Sequence, residues 1–188
     1  MQGLYVVFTA PYRDMEDEYH HWYNTRHLPD ILAVPGVALA RRYSVSSKMP
    51  AVALPRFAAF YGLSDVGRAV SEIIARRGTE RLKSSPAVNR AQSLACIFDM
   101  GLEQIESQCR IPILLFALCN SQEIGASDRV LTAPASAIQA STAPVPFCSI
   151  QLHHHPEGVG NACVEFASDA QVYRASAISD LMREPSAI

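Results

Sequence analysis

Apolar runs of strand length recur through the first hundred residues. The run GLYVVFTA at 3–10 is rich in β-branched and aromatic residues and has no polar alternation, which is typical of a strand buried on both faces. Similar β-rich runs occupy 37–46 (VALARRYSVS), 56–64 (RFAAFYGLS) and 92–100 (QSLACIFDM). We therefore expect a strand at each of these four places.

Two stretches between these strands have helical spacing. The positions that recur at steps of three and four residues over 15–27 are Met15, Tyr19, Trp22, Tyr23 and Arg26. Pro29 is expected to end this first helix. Ser64 and Asp65 can cap a second helix that ends at Gly78. The resulting order, β-α-β-β-α-β, is the ferredoxin-like pattern, so the predicted fold class is α+β.

The remainder of the chain resembles a degenerate second copy of this unit. IPILLFALCN at 111–120 corresponds to the first strand, VPFCSIQLHH at 145–154 to the second, and 161–184 to the third strand and the second helix. Within the last segment, Ser168 and Asp169 repeat the helix cap at an offset of 104 residues. Residues 121–144 contain two prolines and no helical stripe, so this copy is predicted to lack the first helix.

Two such halves are expected to pack through their sheets. A ferredoxin-like sheet carries its helices on one face and needs burial on the other. The predicted halves, 1–105 and 106–188, can face each other and close a barrel. Closure within one chain and closure between two chains are both compatible with the periodicity.

Composition and charge exclude several classes of function. The chain has 188 residues, of which 49% are hydrophobic and 18% charged, as in a globular protein. Its net charge is -2 and no Lys/Arg run is longer than a pair, so no nucleic-acid partner is expected. The apolar runs are far shorter than the roughly 20 residues of a membrane span. The start of the chain lacks a basic lead-in and a cleavage site, so we expect a cytoplasmic protein without a membrane partner.

Cysteines and histidines do not form a clear metal or disulfide pattern. The five cysteines are scattered and never form a C-x-x-C pair. His153, His154 and His155 offer two ligands on one strand face with Glu157 nearby, but a polar strand end is the preferred interpretation. No glycine-rich nucleotide motif and no nucleophile elbow is present. We therefore predict no metal and no cofactor.

One segment resembles a known family. Residues 18–43, EYHHWYNTRHLPDILAVPGVALARRY, resemble the EthD-like members of the dimeric α+β barrel superfamily, in which a helix ending in His-Leu-Pro-Asp leads through a Val-Pro-Gly turn to an Arg-rich strand. The resemblance implies a barrel of the dimeric α+β type, here pseudo-dimeric, with a pocket between the sheet and the first helix. It also implies cofactor-free chemistry on small hydrophobic molecules, such as polyketide cyclisation, lyase and dehydratase steps, lactone isomerisation or quinone-forming oxygenation. Other branches bind haem, and the family habit of pairing through sheet faces implies a homodimer.

His27 is the main catalytic candidate. It corresponds to the histidine of the family signature, and an imidazole can act as general acid or base near neutral pH. The alternative is that His27 caps the last carbonyls of the helix. His20, Tyr23, Asn24 and His27 lie along one side of a helix, so Tyr23 can polarise a substrate carbonyl and Asn24 can orient the imidazole. His20 is roughly 10 Å from His27 along the axis, which favours a proton relay over a shared metal ion.

Further candidates for substrate binding lie on the strands and the helix. Tyr5 and Tyr61 can supply pocket hydroxyls, and Trp22 is a candidate although aromatic packing is the more common use of such a residue. Arg41 and Arg42 point to opposite faces of their strand. Either arginine can meet a substrate anion, with Arg41 as our candidate, and a surface salt bridge is the alternative.

These observations predict a cofactor-independent enzyme. Its reaction would transfer a proton on a small hydrophobic compound, aromatic or polyketide-like, in a lyase, cyclase, dehydratase or isomerase step. The first alternative is a non-catalytic protein that binds the same kind of molecule. The second is a haem-binding barrel.

Overall fold

The computed structural model describes residues 1–46, 54–119, 131–136, 149–154 and 171–184. Its first elements are β1 (Gly3–Thr9), α1 (Glu16–Trp22), a π-helix (Tyr23–His27), α2 (Leu28–Leu32), β2 (Val37–Ser46), β3 (Phe57–Leu63) and α3 (Val66–Arg76). They are followed by a 3₁₀ helix (Arg90–Gln92), β4 (Leu94–Asp99), α4 (Leu102–Cys109), β5 (Ile113–Cys119), β6 (Leu131–Ser136), β7 (Ser149–His154), β8 (Gln171–Ala177) and β9 (Met182–Arg183). In these ranges no helix combines the length and the apolar character needed to cross a membrane.

The first four strands form an antiparallel sheet in the order β4-β1-β3-β2. One helical segment connects β1 to β2, and α3 lies between β3 and β4. Helix α3 begins as the sequence predicts, because the Asp65 side chain accepts a hydrogen bond from the Arg68 N–H at 3.1 Å. This α+β arrangement is compatible with a ferredoxin-like fold.

The later strands complete a ring with the first four. Their order is β8-β5-β7-β6, and all neighbours are antiparallel. Strand β6 pairs with β4 and strand β8 pairs with β2, so the eight strands β1–β8 close on themselves within one chain. The short β9 adds to β2 through Leu39 and Ala40.

The prediction of a helix after Ser168 and Asp169 is wrong, because Gln171–Ala177 is strand β8. Tyr173 and Ala175 are buried and Arg174 between them is exposed, which is the period of a strand. The ladder to β5 therefore outweighs the local resemblance to a helix cap.

The assignment of 145–154 to the second strand of a copy is also wrong. Strand β7 pairs with β5 and β6, and β6 at Leu131–Ser136 comes before it in the chain. The sequence does not predict β6, because Pro134 lies inside it and a proline argues against a strand. Helix α4 was not predicted either, and it covers the boundary expected between residues 105 and 106. The division into two domains stays a prediction.

Pro29 does not end the first helical segment, which continues from Glu16 to Leu32. The Leu28 N–H donates to the Tyr23 carbonyl five residues earlier, so a π turn precedes the proline. Pro29 then occupies the first turn of α2, where a missing N–H is tolerated. The widened turn thus carries the chain past a residue that breaks regular α-helices.

The sheet separates two clusters of buried side chains. One cluster lies inside the ring, with residues from most of its strands packed against α4; large members are Phe8, Tyr43, Phe60, Phe98, Phe116 and Tyr173. The other lies between the outer face of the first four strands and the helices; large members are Tyr19, Tyr23, Leu28, Ile31, Tyr61 and Ile73. A cavity for a ligand lies in the helical layer.

Gly36 sets the angle at which the helical segment returns to the sheet. Its φ of +95° belongs to the left-handed region that favours glycine. Its carbonyl accepts hydrogen bonds from the N–H groups of Ser64 and Asp65, just before α3. A Cβ atom here would lie 2.7 Å from the Asp65 carbonyl oxygen. The turn therefore approaches α3 as closely as backbone atoms allow.

Gly36→Ala should destabilise the protein more than Gly78→Ala does. Gly78 also has a positive φ, +78°, but a Cβ there would meet nothing within 4 Å. We expect Gly78→Ala to lower the free energy of unfolding by about 1 kcal/mol through conformation alone. Gly36→Ala adds a backbone clash and should cost at least about 1 kcal/mol more. Urea denaturation of both variants checks this, and equal losses would contradict it.

Candidate functional site

A cavity of about 560 Å³ lies between the outer face of the sheet and the helical layer. Strands β1, β3 and β4 form its floor, the segment from α1 to α2 forms one wall, and residues 77–93 form much of its mouth. The apolar members of its lining include Val7, Ile31, Ile73, Leu82, Val88 and Leu94. Its size is in the range of sites for small organic ligands.

The cavity brings together five of the residues selected from the sequence: Tyr5, Trp22, Tyr23, His27 and Tyr61. Three others, His20, Asn24 and Arg41, do not line it. The location between sheet and first helix is the one that the family resemblance implies. The roles assigned to these residues stay predictions.

The π-helix explains why three ring side chains meet here. On an α-helix, residues five apart point about 140° away from each other, so Trp22 and His27 would diverge. In the wider π turn their rings stack, with centroids 4.5 Å apart. The Tyr23 ring packs edge-on against the same imidazole at 4.8 Å. His27 is therefore fixed between two aromatic rings.

His27 is neutral and has an unused hydrogen-bonding atom. Its Nδ1 is buried and has no hydrogen-bond partner among the described residues. Burial lowers the pKa of His27 to about 3, and the nearby Arg42 charge adds to the effect. The alternative role, capping the end of the helix, is wrong because the helix continues to Leu32. A neutral imidazole offers one N–H donor and one acceptor to a ligand.

The tyrosines of the cavity are neutral hydroxyl groups. Burial raises the pKa of Tyr61 well above its ordinary value, and the neighbouring Tyr23 raises it further. Burial likewise raises the pKa of Tyr23, and that of Tyr5 to about 12. The Tyr61 hydroxyl is buried without a hydrogen-bond partner in the described part of the chain. The Tyr23 side chain is close enough to influence the Tyr61 pKa but makes no hydrogen bond of good geometry with the hydroxyl, which can therefore donate to a substrate oxygen.

Arg42 is a cation buried directly behind this site. It is 1% exposed, and in the described ranges no carboxylate lies within ion-pair distance of it. Its guanidinium carbon lies 4.2 Å from the ring centroid of Tyr23 and 5.2 Å from that of Tyr19. Cation–π attraction of this kind strengthens where water is excluded.

Arg42 also contacts two of the predicted site residues that do not line the cavity. Its Nη1 donates to the Asn24 side-chain oxygen at 2.7 Å, and its Nη2 lies 3.0 Å from His20 Nδ1. Arginine has no acceptor, so His20 Nδ1 accepts this bond and His20 is neutral. Burial and the Arg42 charge lower the pKa of His20 accordingly. Through these contacts, His20 and Asn24 hold the Arg42 guanidinium in place.

Arg41 lies on the other face of β2. Its guanidinium donates to the backbone carbonyls of Cys109 and Ser179, at 2.5 and 3.2 Å. The arginine beside the site is therefore Arg42, not our candidate Arg41. Strand alternation places the two on opposite faces, but it does not indicate which face the helices cover.

Five polar side chains at the mouth of the cavity were not predicted from the sequence. Arg77, Lys83, Ser84, Arg90 and Ser93 line this part of the cavity. All five lie in the connection between α3 and β4, whose sequence has no helical or strand periodicity. Backbone hydrogen bonds to residues 10–12, just after β1, and a hydrogen bond from Arg26 to the Glu80 carbonyl hold this connection beside the site.

The residues that the structure describes contain no group of three His, Cys, Asp or Glu side chains able to hold a metal ion. The side chains of His153 and His154, and all of His155, lie outside the described residues. The interpretation of that triplet stays open.

Comparisons of the chain with protein-family models, with curated proteins and with solved structures find no match. The resemblance to the EthD-like family therefore stays a prediction. It depends on residues 18–43, and the function has to be inferred from the site itself.

His27 should make the protein less stable in mild acid. The unfolded chain binds a proton at this imidazole near pH 6.5, whereas the folded protein does so only near pH 3. The free energy of unfolding should therefore fall by about 2 kcal/mol between pH 7.5 and pH 5 from this group alone. His27→Gln removes that part of the loss, as urea denaturation at both pH values can measure. The exposed His21→Gln is the control, and an unchanged loss in His27→Gln would contradict the assignment.

Replacing Arg42 should raise the pKa of His27 without restoring its ordinary value. Arg42→Met removes the charge and keeps much of the side-chain volume. Because burial is the larger cause, the His27 pKa should rise above about 3 and stay below that of a free histidine. Imidazole ¹³C NMR during a pH titration measures it. Arg26→Met, which removes an exposed cation on the same helical segment, should leave it unchanged.

Proposed function

We propose that the cavity binds a small hydrophobic molecule, aromatic or polyketide-like, and that the protein is a cofactor-independent enzyme transferring a proton on it. One observation carries this proposal: His27 Nδ1 and the Tyr61 hydroxyl are both buried, and both lack a hydrogen-bond partner among the described residues. Leaving buried polar atoms unpaired costs about 1–3 kcal/mol each. A ligand that bonds to both atoms recovers this energy.

The two atoms suit a substrate with a carbonyl and an acidic proton next to it. The Tyr61 hydroxyl donates to the carbonyl oxygen and stabilises the negative charge that develops there. The proton moves from the adjacent carbon, or from a phenol, to His27 Nδ1. The imidazolium and the enolate then form a neutral pair, which a buried site tolerates better than a single charge. Loss of a leaving group from the enolate gives lyase chemistry, and return of the proton at another carbon gives isomerase chemistry. Addition of the enolate to an electrophilic carbon of the same molecule gives cyclase chemistry.

The surroundings of these atoms support an anionic intermediate. Tyr5 and Tyr23 contribute further neutral hydroxyls, and Arg42 supplies a fixed positive charge behind Tyr23. The apolar walls exclude water, which strengthens electrostatic interactions inside the cavity. A positive field of this kind favours the enolate over its neutral parent.

A non-catalytic binding protein is the second candidate. The observation that favours it is the low pKa of His27, about 3, which makes the free imidazole a weak base at neutral pH. In that case His27 and Tyr61 only orient a ligand through hydrogen bonds. The catalytic proposal requires that the bound substrate raise the His27 pKa.

The strand order supports a duplicated unit as the scaffold for this site. The order β8-β5-β7-β6 repeats β4-β1-β3-β2, strand for strand. We infer that the second half derives from a copy of the first and serves as a wall for one site. Because eight strands close a ring in a single chain, the barrel needs no second chain for closure. The homodimer and the cytoplasmic location stay predictions.

Catalysed hydrogen exchange tests the enzymatic proposal directly. The wild-type protein is incubated in D₂O with bicyclic aromatic ketones, beginning with 1-tetralone, and NMR follows deuterium uptake next to the carbonyl. For a ketone whose binding is confirmed by ligand NMR, exchange should exceed the buffer rate. His27→Gln should reduce the catalysed rate by about 10²–10⁴-fold, and Tyr61→Phe by about 10²-fold.

The controls separate chemistry from binding. His21→Gln, an exposed neighbour on the same helical segment, should exchange at the wild-type rate. Ketones that bind to the wild-type protein without any exchange above the His27→Gln level would reject the catalytic proposal and favour the binding protein.

A further inference from the structure

The side chains at the mouth of the cavity carry more positive charge than the chain as a whole. Three of its lining side chains are cations, Arg77, Lys83 and Arg90, and the described lining contains no aspartate or glutamate. The whole chain, by contrast, has a net charge of -2. The positive charge is therefore a local property of the mouth and not an average property of the surface.

Two of the three cations have no acidic partner among the residues that the structure describes. Lys83 pairs with Glu80 at 3.2 Å, and both side chains are largely exposed. Arg90 donates to the neutral hydroxyl of Ser84. Arg77 lies within 4 Å of no carboxylate in the described residues. Charged hydrogen bonds are thus available at the mouth for a ligand.

The backbone around Arg77 holds its position. The residue follows directly after the end of α3, where the unpaired carbonyls favour a positive charge, and it forms a β-bridge to Leu82. Gly78, with its positive φ, turns the chain back across the opening. Arg77 is close enough to the cavity floor for its charge to oppose the rise in the Tyr5 pKa that burial causes.

We propose that the molecule bound in this cavity carries an anionic group, a carboxylate, sulfonate or phosphate, at the end that faces the mouth. Arg77 and Arg90 bind the anion, with the hydroxyls of Ser84 and Ser93 beside them. The apolar body extends inward to His27 and Tyr61. The inference rests on the proposed function, since it requires that the cavity take a hydrophobic molecule.

An anionic group on the substrate also acts against the low pKa of His27, which makes the free imidazole a weak base. The Arg42 charge is one of the two causes that hold its imidazole neutral. A negative group brought into the same cavity opposes that charge. The substrate therefore assists in making His27 basic at the moment when a proton has to be taken.

Two fluorescent probes that differ by one charged group test the proposal. They are 8-anilinonaphthalene-1-sulfonate and its neutral parent N-phenyl-1-naphthylamine. The wild-type protein should bind the sulfonate at least about 10-fold more tightly than the neutral probe. In Arg77→Gln/Arg90→Gln the sulfonate should lose about 10-fold or more in affinity, while the neutral probe changes by less than about two-fold. Added salt should weaken only the sulfonate.

A matched variant removes the same charge elsewhere. Arg68→Gln/Arg81→Gln loses two exposed arginines outside the cavity lining and should bind both probes as the wild type does. Ile73→Trp, which fills the cavity from α3, should weaken both probes and so locates them.

The outcomes distinguish the two proposals. Tight binding of the neutral probe with no preference for the sulfonate, or equal losses in the two double variants, overturns the anionic inference alone. Failure of both probes to bind overturns it together with the proposed hydrophobic ligand.

Discussion

The helical layer is built around a buried guanidinium that has no carboxylate partner in the described part of the chain. Arg42 enters this layer from β2, and its charge is accommodated by aromatic faces and neutral acceptors. Tyr23 and Asn24 must both turn toward it, which restrains the rotation of the segment from α1 to α2. Because the same cation donates to its Nδ1, His20 is limited to the tautomer in which Nδ1 carries no proton. The same segment carries His27, whose imidazole is kept neutral first by burial and then by the Arg42 charge.

The site is organised by charge in layers. Arg42 lies at the back, neutral tyrosine hydroxyls and a neutral imidazole line the interior, and cations surround the mouth. Among the described lining residues there is no negative group. Such a cavity is ready to receive electron density, either as an anion on the ligand or as an oxyanion that forms during a reaction. The inside of the strand ring holds a separate cluster of buried aromatic side chains.

Local patterns predicted the first half well and the second half poorly. Apolar runs locate β1 to β4, and the Asp65 cap locates α3, because these signals lie within a few residues. Strand β6 contains Pro134, and β8 follows a cap-like Ser168-Asp169 pair, so long-range pairing had to overcome the local signal there. At the site, family resemblance and helical spacing indicated His27 and its aromatic neighbours. The contacts of Arg42 and the group of cations at the mouth of the cavity depend on tertiary packing. A single sequence carries no local pattern for such contacts.

The closed ring has a consequence for synthesis of the protein. Strand β2 pairs with β8 through Tyr43 and Ala177, which are more than a hundred residues apart in the chain. Until β8 leaves the ribosome, the sheet of the first half has an uncovered face that carries Phe8, Phe60 and Phe98. An apolar sheet face of this size is prone to pair wrongly with other chains. Joining the two ends of the ring also requires contacts between residues far apart in the chain, which is the kind of contact that slows folding.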